Sequence, residues 1–277
     1  MKHISIGGII CVILAGFFLL FGAMAECGAK KDFPDMEANM VEIEGTKVLP
    51  ENEGKLVVVR GDIKPIEAFV TDSLFGVSVR TTKLVRIVEM LQWEKDRDNE
   101  DYSLVWSNSL ISITALTKSN PRKKPYEDAE FACKAKIGEF EVSEFRPLKN
   151  IKATESIMQL SEATARAHKM FVSGKYFTNG KNVGSVRVSF QYVEPALLED
   201  VTVLGMQKGN SLVEYSTSGM ALVDKLWTKK MSKDKIMEEL REEHNTARLG
   251  GIILTLFLGV LGVFLIKAKQ APKKNQK

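Results

Sequence analysis

Cysteine and histidine are the residue types in this sequence whose chemistry is most specific, since thiols form disulfides and both side chains bind metals. The chain of 277 residues contains three of each. Cys11 lies inside an apolar run, whereas Cys27 and Cys133 lie in the polar middle of the chain. These two either form a disulfide or remain separate thiols. No C-x-x-C pair occurs, and nothing near the histidines has metal-ligand spacing, so we expect no metal site and no cofactor.

Catalytic motifs are also missing from the sequence. It has no G-x-S-x-G nucleophile elbow, no phosphate-binding loop and no dinucleotide glycine fingerprint. Carboxylates are plentiful, but their spacing does not pair any two of them as a general acid and a general base. We therefore expect a protein that is not an enzyme.

The excess of basic residues belongs to the two ends of the chain. Six lysines flank the outermost apolar runs, and removing them from the net charge of +4 leaves −2 for residues 26–248. They are Lys2 at the N-terminal end and Lys267, Lys269, Lys273, Lys274 and Lys277 at the C-terminal end. Nucleic-acid binders need a concentrated basic face. The middle of the chain lacks that excess, so we expect no nucleic-acid partner.

Two uncharged apolar runs, residues 4–25 and 249–266, are long enough to cross a bilayer as helices. Residues 1–25 have two interpretations. Ala23-Met24-Ala25 resembles a signal-peptide cleavage site, but the apolar run is longer than a typical signal-peptide core. We favour a retained transmembrane anchor, with a signal peptide as the alternative. Residues 249–266 are expected to form a transmembrane helix.

The flanking lysines also predict orientation. A short basic tail, residues 267–277, is expected to stay in the cytoplasm, and Lys2 predicts the same side for the N-terminus. The middle of the chain would then face a lumen, a periplasm or the exterior. We expect an integral membrane protein.

The middle region predicts an α+β domain that is rich in strands. Residues 26–54, with two prolines and many charges, are expected to be a linker, and residues 55–231 the domain. Within it, the apolar spacing of residues 81–96 fits a helix or a long strand, and we favour a strand paired with 101–107. We also expect an alternating strand at 183–193, a hairpin turn at 208–210 and a helix at 153–169. Residues 232–248, with Ser232 as the cap, are expected to form a juxtamembrane helix.

Several stretches, read in order, resemble the transmembrane protein 43 (LUMA) family. The strongest are VEMLQWEKD at residues 88–96 and the G-x-x-RVSF-x-Y run at residues 184–192. The motif residues are Val88, Glu89, Met90, Gln92, Trp93, Gly184, Arg187, Val188, Ser189, Phe190 and Tyr192. The resemblance implies a membrane protein of the endoplasmic reticulum and nuclear envelope in a eukaryote, or of the inner membrane with a periplasmic domain in a bacterium. It also implies a protein without a catalytic site that organises membrane-protein complexes, in animals with lamins and emerin, and self-associates.

The sequence and the resemblance together favour a structural role. We expect a membrane-anchored scaffold whose partners are the lipid bilayer, other membrane proteins and further copies of itself. The alternative is a ligand- or lipid-binding sensor of the envelope that signals through the juxtamembrane helix.

Overall fold

The computed structural model describes residues 6–43, 46–96, 98, 101–113, 117–219 and 221–270. A long apolar helix lies at each end of this range, and a strand-rich region lies between the two helices. The α+β class expected from the sequence, with a strand-rich domain between two helices long enough to span a membrane, is confirmed.

Strands outnumber helices in the region between the two long helices. The helices, in chain order, are α1 Ile6–Asn39, α2 Arg146–Lys149, α3 Glu162–Ala167 and α4 Lys233–Gln270. The strands are β1 Met40–Glu42, β2 Leu56–Gly61, β3 Ile63–Pro65, β4 Val70–Asp72, β5 Val77–Val79, β6 Lys83–Lys95, β7 Tyr102–Ser107, β8 Ala129–Ala132, β9 Ala135–Ile137, β10 Phe140–Glu141, β11 Glu155–Ser156, β12 Phe171–Ser173, β13 Tyr176–Thr178, β14 Val186–Tyr192, β15 Val201–Lys208, β16 Ser211–Val213, β17 Tyr215–Ser216, β18 Leu222–Val223 and β19 Lys225–Trp227.

Helix α1 continues far beyond the apolar run, so residues 26–39 are helical, although we expected them to belong to a linker. An apolar stripe explains the difference. Ala29, Phe33 and Met36 recur every three or four residues, which places them on one side of a helix. Met36 is buried in a core that α1 shares with α4, and Phe33 packs against it. This packing outweighs the main-chain hydrogen bond that Pro34 removes from the helix interior.

Helix α4 joins the juxtamembrane segment and the second apolar run in one continuous helix. Its start agrees with the sequence: the Ser232 hydroxyl accepts a hydrogen bond from the Lys235 amide at 3.4 Å. Met231 and Ile236, which flank this cap, are both buried in the core beneath the helix. A helix without a break therefore leads from the domain into the apolar segment.

The two long helices pack antiparallel against each other. Their backbones come closest at two glycines, where a Cβ added to Gly262 would lie 2.9 Å from the carbonyl oxygen of Gly8. Toward the domain, Arg241 forms an ion pair with Glu37 at 3.2 Å. Helices α1 and α4 are thus one hairpin-like unit whose inner ends reach the domain.

The larger sheet has the strand order β1-β2-β15-β16-β10-β9-β3, with β19 also paired to β15. Its strand β2 is buried on both faces, which explains its unbroken apolar run. Val57 and Val59 face one core, and Leu56 and Val58 face the second core beneath α4. This sheet therefore connects the helix pair to the rest of the domain.

The second sheet has the order β12-β13-β14-β6-β7, with β11 paired to β14 and β8 paired to β6. The long strand expected at 81–96 is β6, and its expected partner at 101–107 is β7. One face of this sheet covers a third core built on Phe75, Phe177 and Phe190, with α3 and the β4–β5 hairpin packed over it. We call the opposite face the outer face.

The helix expected at 153–169 is wrong for most of its length. Only Glu162–Ala167 is helical, and the cap is Ser161, whose hydroxyl accepts from the Thr164 amide. Upstream, Glu155–Ser156 forms strand β11 on the edge of β14, and the Ile157 amide donates to the Phe190 carbonyl at 3.0 Å. The apolar spacing that suggested a helix instead places Ile157 and Leu160 against the third core from an extended chain.

A candidate interaction face

The two motif stretches that the sequence singled out separately form one antiparallel ladder. Strand β6 pairs with β14 so that Val88 lies opposite Val188 and Glu89 lies opposite Arg187. Because side chains alternate across a strand, each motif divides between the third core and the outer face. Half of the motif side chains in the ladder therefore belong to the third core, and the others point to the outer face.

The inward half consists of core residues. Val88, Met90, Val188 and Phe190 are at most 1% exposed, and Phe190 packs edge-on against Phe177 with ring centroids 6.2 Å apart. Tyr192 packs against the same core from a partly buried position. These motif residues specify packing.

Two further motif residues position loops. The buried Gln92 amide donates to the Ser109 carbonyl at 2.8 Å and accepts from the Ile111 amide at 2.9 Å. Gly184 has a φ of +86°, a conformation that side-chain-bearing residues rarely adopt, and its Cβ would lie 3.1 Å from Pro121. Both residues therefore hold the segments that border the outer face.

The outward half centres on Arg187. Its guanidinium donates two hydrogen bonds to the Glu89 carboxylate at 2.6 and 2.8 Å. It also lies between two aromatic rings, 4.7 Å from the Trp106 centroid and 4.5 Å from the Tyr176 centroid. The hydrogen bonds to Glu89 raise the pKa of Arg187 above its usual value. A stacked, bidentate ion pair of this kind is geometrically fixed.

Aromatic and aliphatic side chains surround this ion pair. On the outer face, Trp93 lies under the ammonium of Lys118, 3.9 Å from the ring centroid. Leu104, opposite Trp93 in the ladder, is 43% exposed, and Phe171 at the other edge is 45% exposed. Ser189 also points to this side but is buried. The outer face thus combines exposed apolar area with one fixed charge pair.

Side chains of a basic loop at residues 118–128 form hydrogen bonds with main-chain groups of β6. The Asp128 carboxylate accepts from the Val88 amide at 2.6 Å, and Lys124 donates to the Val88 carbonyl at 3.0 Å. Asn120 makes the same pair of bonds with the main chain of Trp93, at 2.7 and 2.8 Å. Sequence reasoning missed this role, because no local pattern shows which strand a polar loop will meet.

The cysteines and histidines do not converge on a chemical site. Cys27 is exposed on α1, Cys133 is half-buried, and both are free thiols. His168 Nε2 lies 2.8 Å from the Leu74 carbonyl oxygen, and its tilted ring packs against Phe75, so it has a packing role. Across the described ranges, no group of three or more metal-ligating side chains could hold an ion.

Two of the six lysines that predict orientation lie within the described residues. Lys267 and Lys269 lie on the last turns of α4. Lys2, Lys273, Lys274 and Lys277 lie outside the described residues.

Polar contacts fix α1 to the domain at the point where the helix leaves its apolar segment. Asp35 accepts from the Tyr215 hydroxyl and from the Ser218 amide, both at 3.0 Å. One turn earlier, the buried Asp32 accepts from the Thr217 hydroxyl. Burial, and then Asp35, raise the pKa of Tyr215 to about 12. These contacts, together with the second core, join the helix pair firmly to the domain.

Comparison with known proteins gives a consistent result. The family profile described as Transmembrane protein 43 matches residues 80–269, more than half of the chain. Transmembrane protein 43 of Rattus norvegicus is 29% identical over 209 residues, and that of Homo sapiens is 28% identical over 203 residues. Each alignment covers 61% of this chain and 50% of the relative, so the chain spans about half the length of these relatives. No solved structure matches the chain.

The matched region includes both strands of the motif ladder and nearly all of α4. The helices α1 and α4 are long and apolar enough to cross a bilayer. The chain is therefore an integral membrane protein, and it belongs to the transmembrane protein 43 family.

Proposed function

We propose that this protein is a non-enzymatic scaffold that binds other membrane proteins through the outer face of its second sheet. The observation that carries the proposal is the arrangement of Trp106, Arg187 and Tyr176, with exposed Leu104 beside it. Aromatic residues and arginine are enriched at the centres of protein interfaces, where they contribute most of the binding energy. Here they lie on a rigid sheet instead of a flexible loop.

The attachment of the domain to the helix pair supports this role. A scaffold must hold its binding face at a fixed place relative to the bilayer. The second core packs Met36 of α1 and Ile236 and Leu240 of α4 against strands of the larger sheet. Since both helices enter the domain without a break, a partner on the outer face would be held at a constant height above the membrane.

We propose that this domain lies on the non-cytoplasmic side, because the flanking lysines favour the cytoplasm for both ends of the chain. In a eukaryotic cell that side would be the lumen of the endoplasmic reticulum and nuclear envelope, and in a bacterium the periplasm. The partners would then be the extracytoplasmic parts of membrane proteins, including further copies of this chain.

Site-specific photo-cross-linking tests the outer face directly. A benzoylphenylalanine at position 104 is compared with one at position 74 in the full chain, in native membranes. Leu104 and Leu74 are 43% and 47% exposed, but Leu74 lies in the β4–β5 hairpin that covers the opposite face. We expect a discrete protein adduct from position 104 at a yield at least fivefold above that from position 74.

A second substitution tests whether the adduct yield from position 104 depends on the arrangement around Arg187. Trp106→Ala removes one of the two rings that hold Arg187, so it should lower the adduct yield from position 104 severalfold. An adduct of twice the chain mass would indicate self-association. Equal yields from positions 104 and 74, or no effect of Trp106→Ala, would contradict the proposed binding face.

The sensor alternative also has a structural feature in its favour. A cavity lies between α1 and α4 where their apolar segments approach the domain.

A further inference from the structure

A cavity of about 610 Å³ separates the two long helices between their points of contact. It is lined by residues 18–26 of α1 and residues 244–256 of α4, most of them apolar. Small residues on both helices contribute to the space between them. Gly22, Ala25, Ala247 and Gly251 all line it, and none has a side chain long enough to reach the opposite helix.

The position of this cavity restricts what can occupy it. The helices approach closely at Gly8 and Gly262, and they meet again where both enter the domain. The cavity therefore lies in the domain-proximal half of the apolar segments, open to the hydrocarbon of the bilayer. Water has few polar partners there, whereas lipid chains surround the helices on every exposed side.

The domain-proximal end of the cavity is polar. Glu26, His244 and Arg248 line it, and Arg248 Nε lies 3.3 Å from Glu26 Oε2 as an ion pair. The Glu26 side chain as a whole is 38% exposed, but its Oε2 atom is buried, and its contact with Arg248 is an ion pair without hydrogen-bond geometry. A buried carboxylate oxygen with unused hydrogen-bonding capacity is costly, even when a cation lies nearby. Glu26 Oε2 therefore has the capacity to accept from a further hydrogen-bond donor at this end of the cavity.

We infer that the cavity binds one acyl chain of a membrane phospholipid whose headgroup carries an ammonium group. The chain would fill the apolar part, the ammonium would donate to Glu26 Oε2, and the Arg248 guanidinium, which is 52% exposed, would bind the phosphate. This inference supplies the ligand class for the sensor alternative, and it is independent of the outer face.

A second cavity, of about 320 Å³, lies between the first cavity and the domain, where it would transmit the effect of lipid binding. It shares His244 with the first cavity and is lined by Asp32, Phe33 and Leu222, next to the contacts that fix α1 to the domain. The His244 ring packs edge-on against Phe33 with centroids 5.7 Å apart. A headgroup bound at Glu26 would lie at one end of this series of contacts, which leads through His244 and Phe33 to the domain.

Two cavity-filling variants and two matched controls test the inference. Gly22 and Gly251 line the cavity, and a Cβ added to either would meet no atom within 4 Å, so Gly22→Leu and Gly251→Leu fill the cavity without a backbone clash. Gly16 and Gly259 lie on the same helices, are equally unobstructed and do not line the cavity. Gly16→Leu and Gly259→Leu are therefore the controls.

The probe is phosphatidylethanolamine with a diazirine near the middle of one acyl chain, in vesicles of phosphatidylcholine that contain the full chain. Labelled peptides are located by mass spectrometry. We expect residues 18–26 and 244–256 to be labelled in the wild type and in both controls. Labelling there should fall at least fivefold in Gly22→Leu and Gly251→Leu.

The headgroup is tested with a phosphatidylcholine probe, whose quaternary ammonium has no N–H to donate. We expect severalfold weaker labelling of the cavity by this probe, and Glu26→Gln should abolish the difference between the two probes. Labelling that is spread evenly along both helices, or unchanged in both filling variants, would mean ordinary bilayer contact and would overturn the site. Equal labelling by the two probes would overturn the headgroup assignment.

Discussion

Arg187 shows at the scale of one residue why the outer face is suited to binding. Its planar guanidinium hydrogen-bonds Glu89 through two nitrogens, while its central carbon also lies over the Trp106 and Tyr176 rings. A lysine has a single ammonium group, which can neither donate a pair of parallel hydrogen bonds to a carboxylate nor present a flat surface to a ring. Because the side chain is already ordered, a partner that binds it loses little conformational entropy.

Cys133 allows a prediction about reactivity. Burial first, and then the negative charge of Glu67, raise the pKa of its thiol to about 11, against a usual value of 9.0. At pH 8 the reactive thiolate is then about 100-fold scarcer than in the unfolded chain, while its greater nucleophilicity restores about tenfold. We expect iodoacetamide to alkylate Cys133 about tenfold more slowly in the native protein than in urea, as measured by mass spectrometry. The native rate should rise with pH up to about 11.

Cys27 is the internal control for this measurement. Its thiol is exposed on α1, so its accessibility should change little when the protein unfolds. The same experiment decides between the two states that the sequence left open. If Cys27 and Cys133 form a disulfide in the membrane, neither will react until a reductant is added, and the free thiols of the structure would be contradicted.

At the scale of elements, the contact between α1 and α4 depends on glycine, and a cysteine can report on it. A Cβ added to Gly262 would lie 3.1 Å from the Cβ of Cys11, slightly closer than the 3.5–4.5 Å that disulfides usually span. A small shift of the helices brings the pair into range. We therefore expect Gly262→Cys to form an intramolecular disulfide with Cys11 on mild oxidation, detected as a cross-linked peptide.

Gly259→Cys is the matched control, because a Cβ at position 259 would meet no atom within 4 Å. It should give no cross-link to Cys11 within the same chain. If neither variant forms the cross-link, or both form it equally, α1 and α4 do not pack through Gly8 and Gly262.

The elements that the sequence predicted correctly are those whose pattern is set within one strand or turn. Strand β14 alternates strictly, with Val186, Val188 and Phe190 facing the core. The hairpin between β15 and β16 turns at Gly209, which has the φ of +58° that its position requires. The cap of α4 at Ser232 is equally local. Such features need no knowledge of distant partners.

The elements that the sequence did not predict depend on contacts far away in the chain. Residues 26–39 are charged and contain a proline, yet they stay helical because α4, about 200 residues later, packs against them. Residues 155–157 leave the expected helix because β14 has an edge to pair. The pairing of Glu89 with Arg187 on the outer face could not be predicted either, since the two residues are 98 positions apart in the sequence.

At the scale of the whole molecule, the domain and its two helices behave as one body. The second core contains residues of α1, α4 and the larger sheet, and Asp32 and Asp35 add hydrogen bonds at the same junction. A scaffold requires this rigidity. A sensor requires that filling the cavity between the helices shift the junction, and the two cavities that meet at His244 lie where such a shift would begin.

Protease protection tests the side of the membrane on which this body lies. Protease is added to sealed membranes that contain the chain with one tag at Met1 and another at Lys277. Because lysines flank both apolar runs on their outer ends, both tags should be digested while a fragment of about residues 26–248 stays protected. Detergent should abolish the protection. A mature chain that begins at Glu26 without its tag would make the first run a signal peptide and leave one anchor, with the domain on the same side. Digestion of the domain in sealed membranes would reverse the orientation and move the partner search to the cytoplasm.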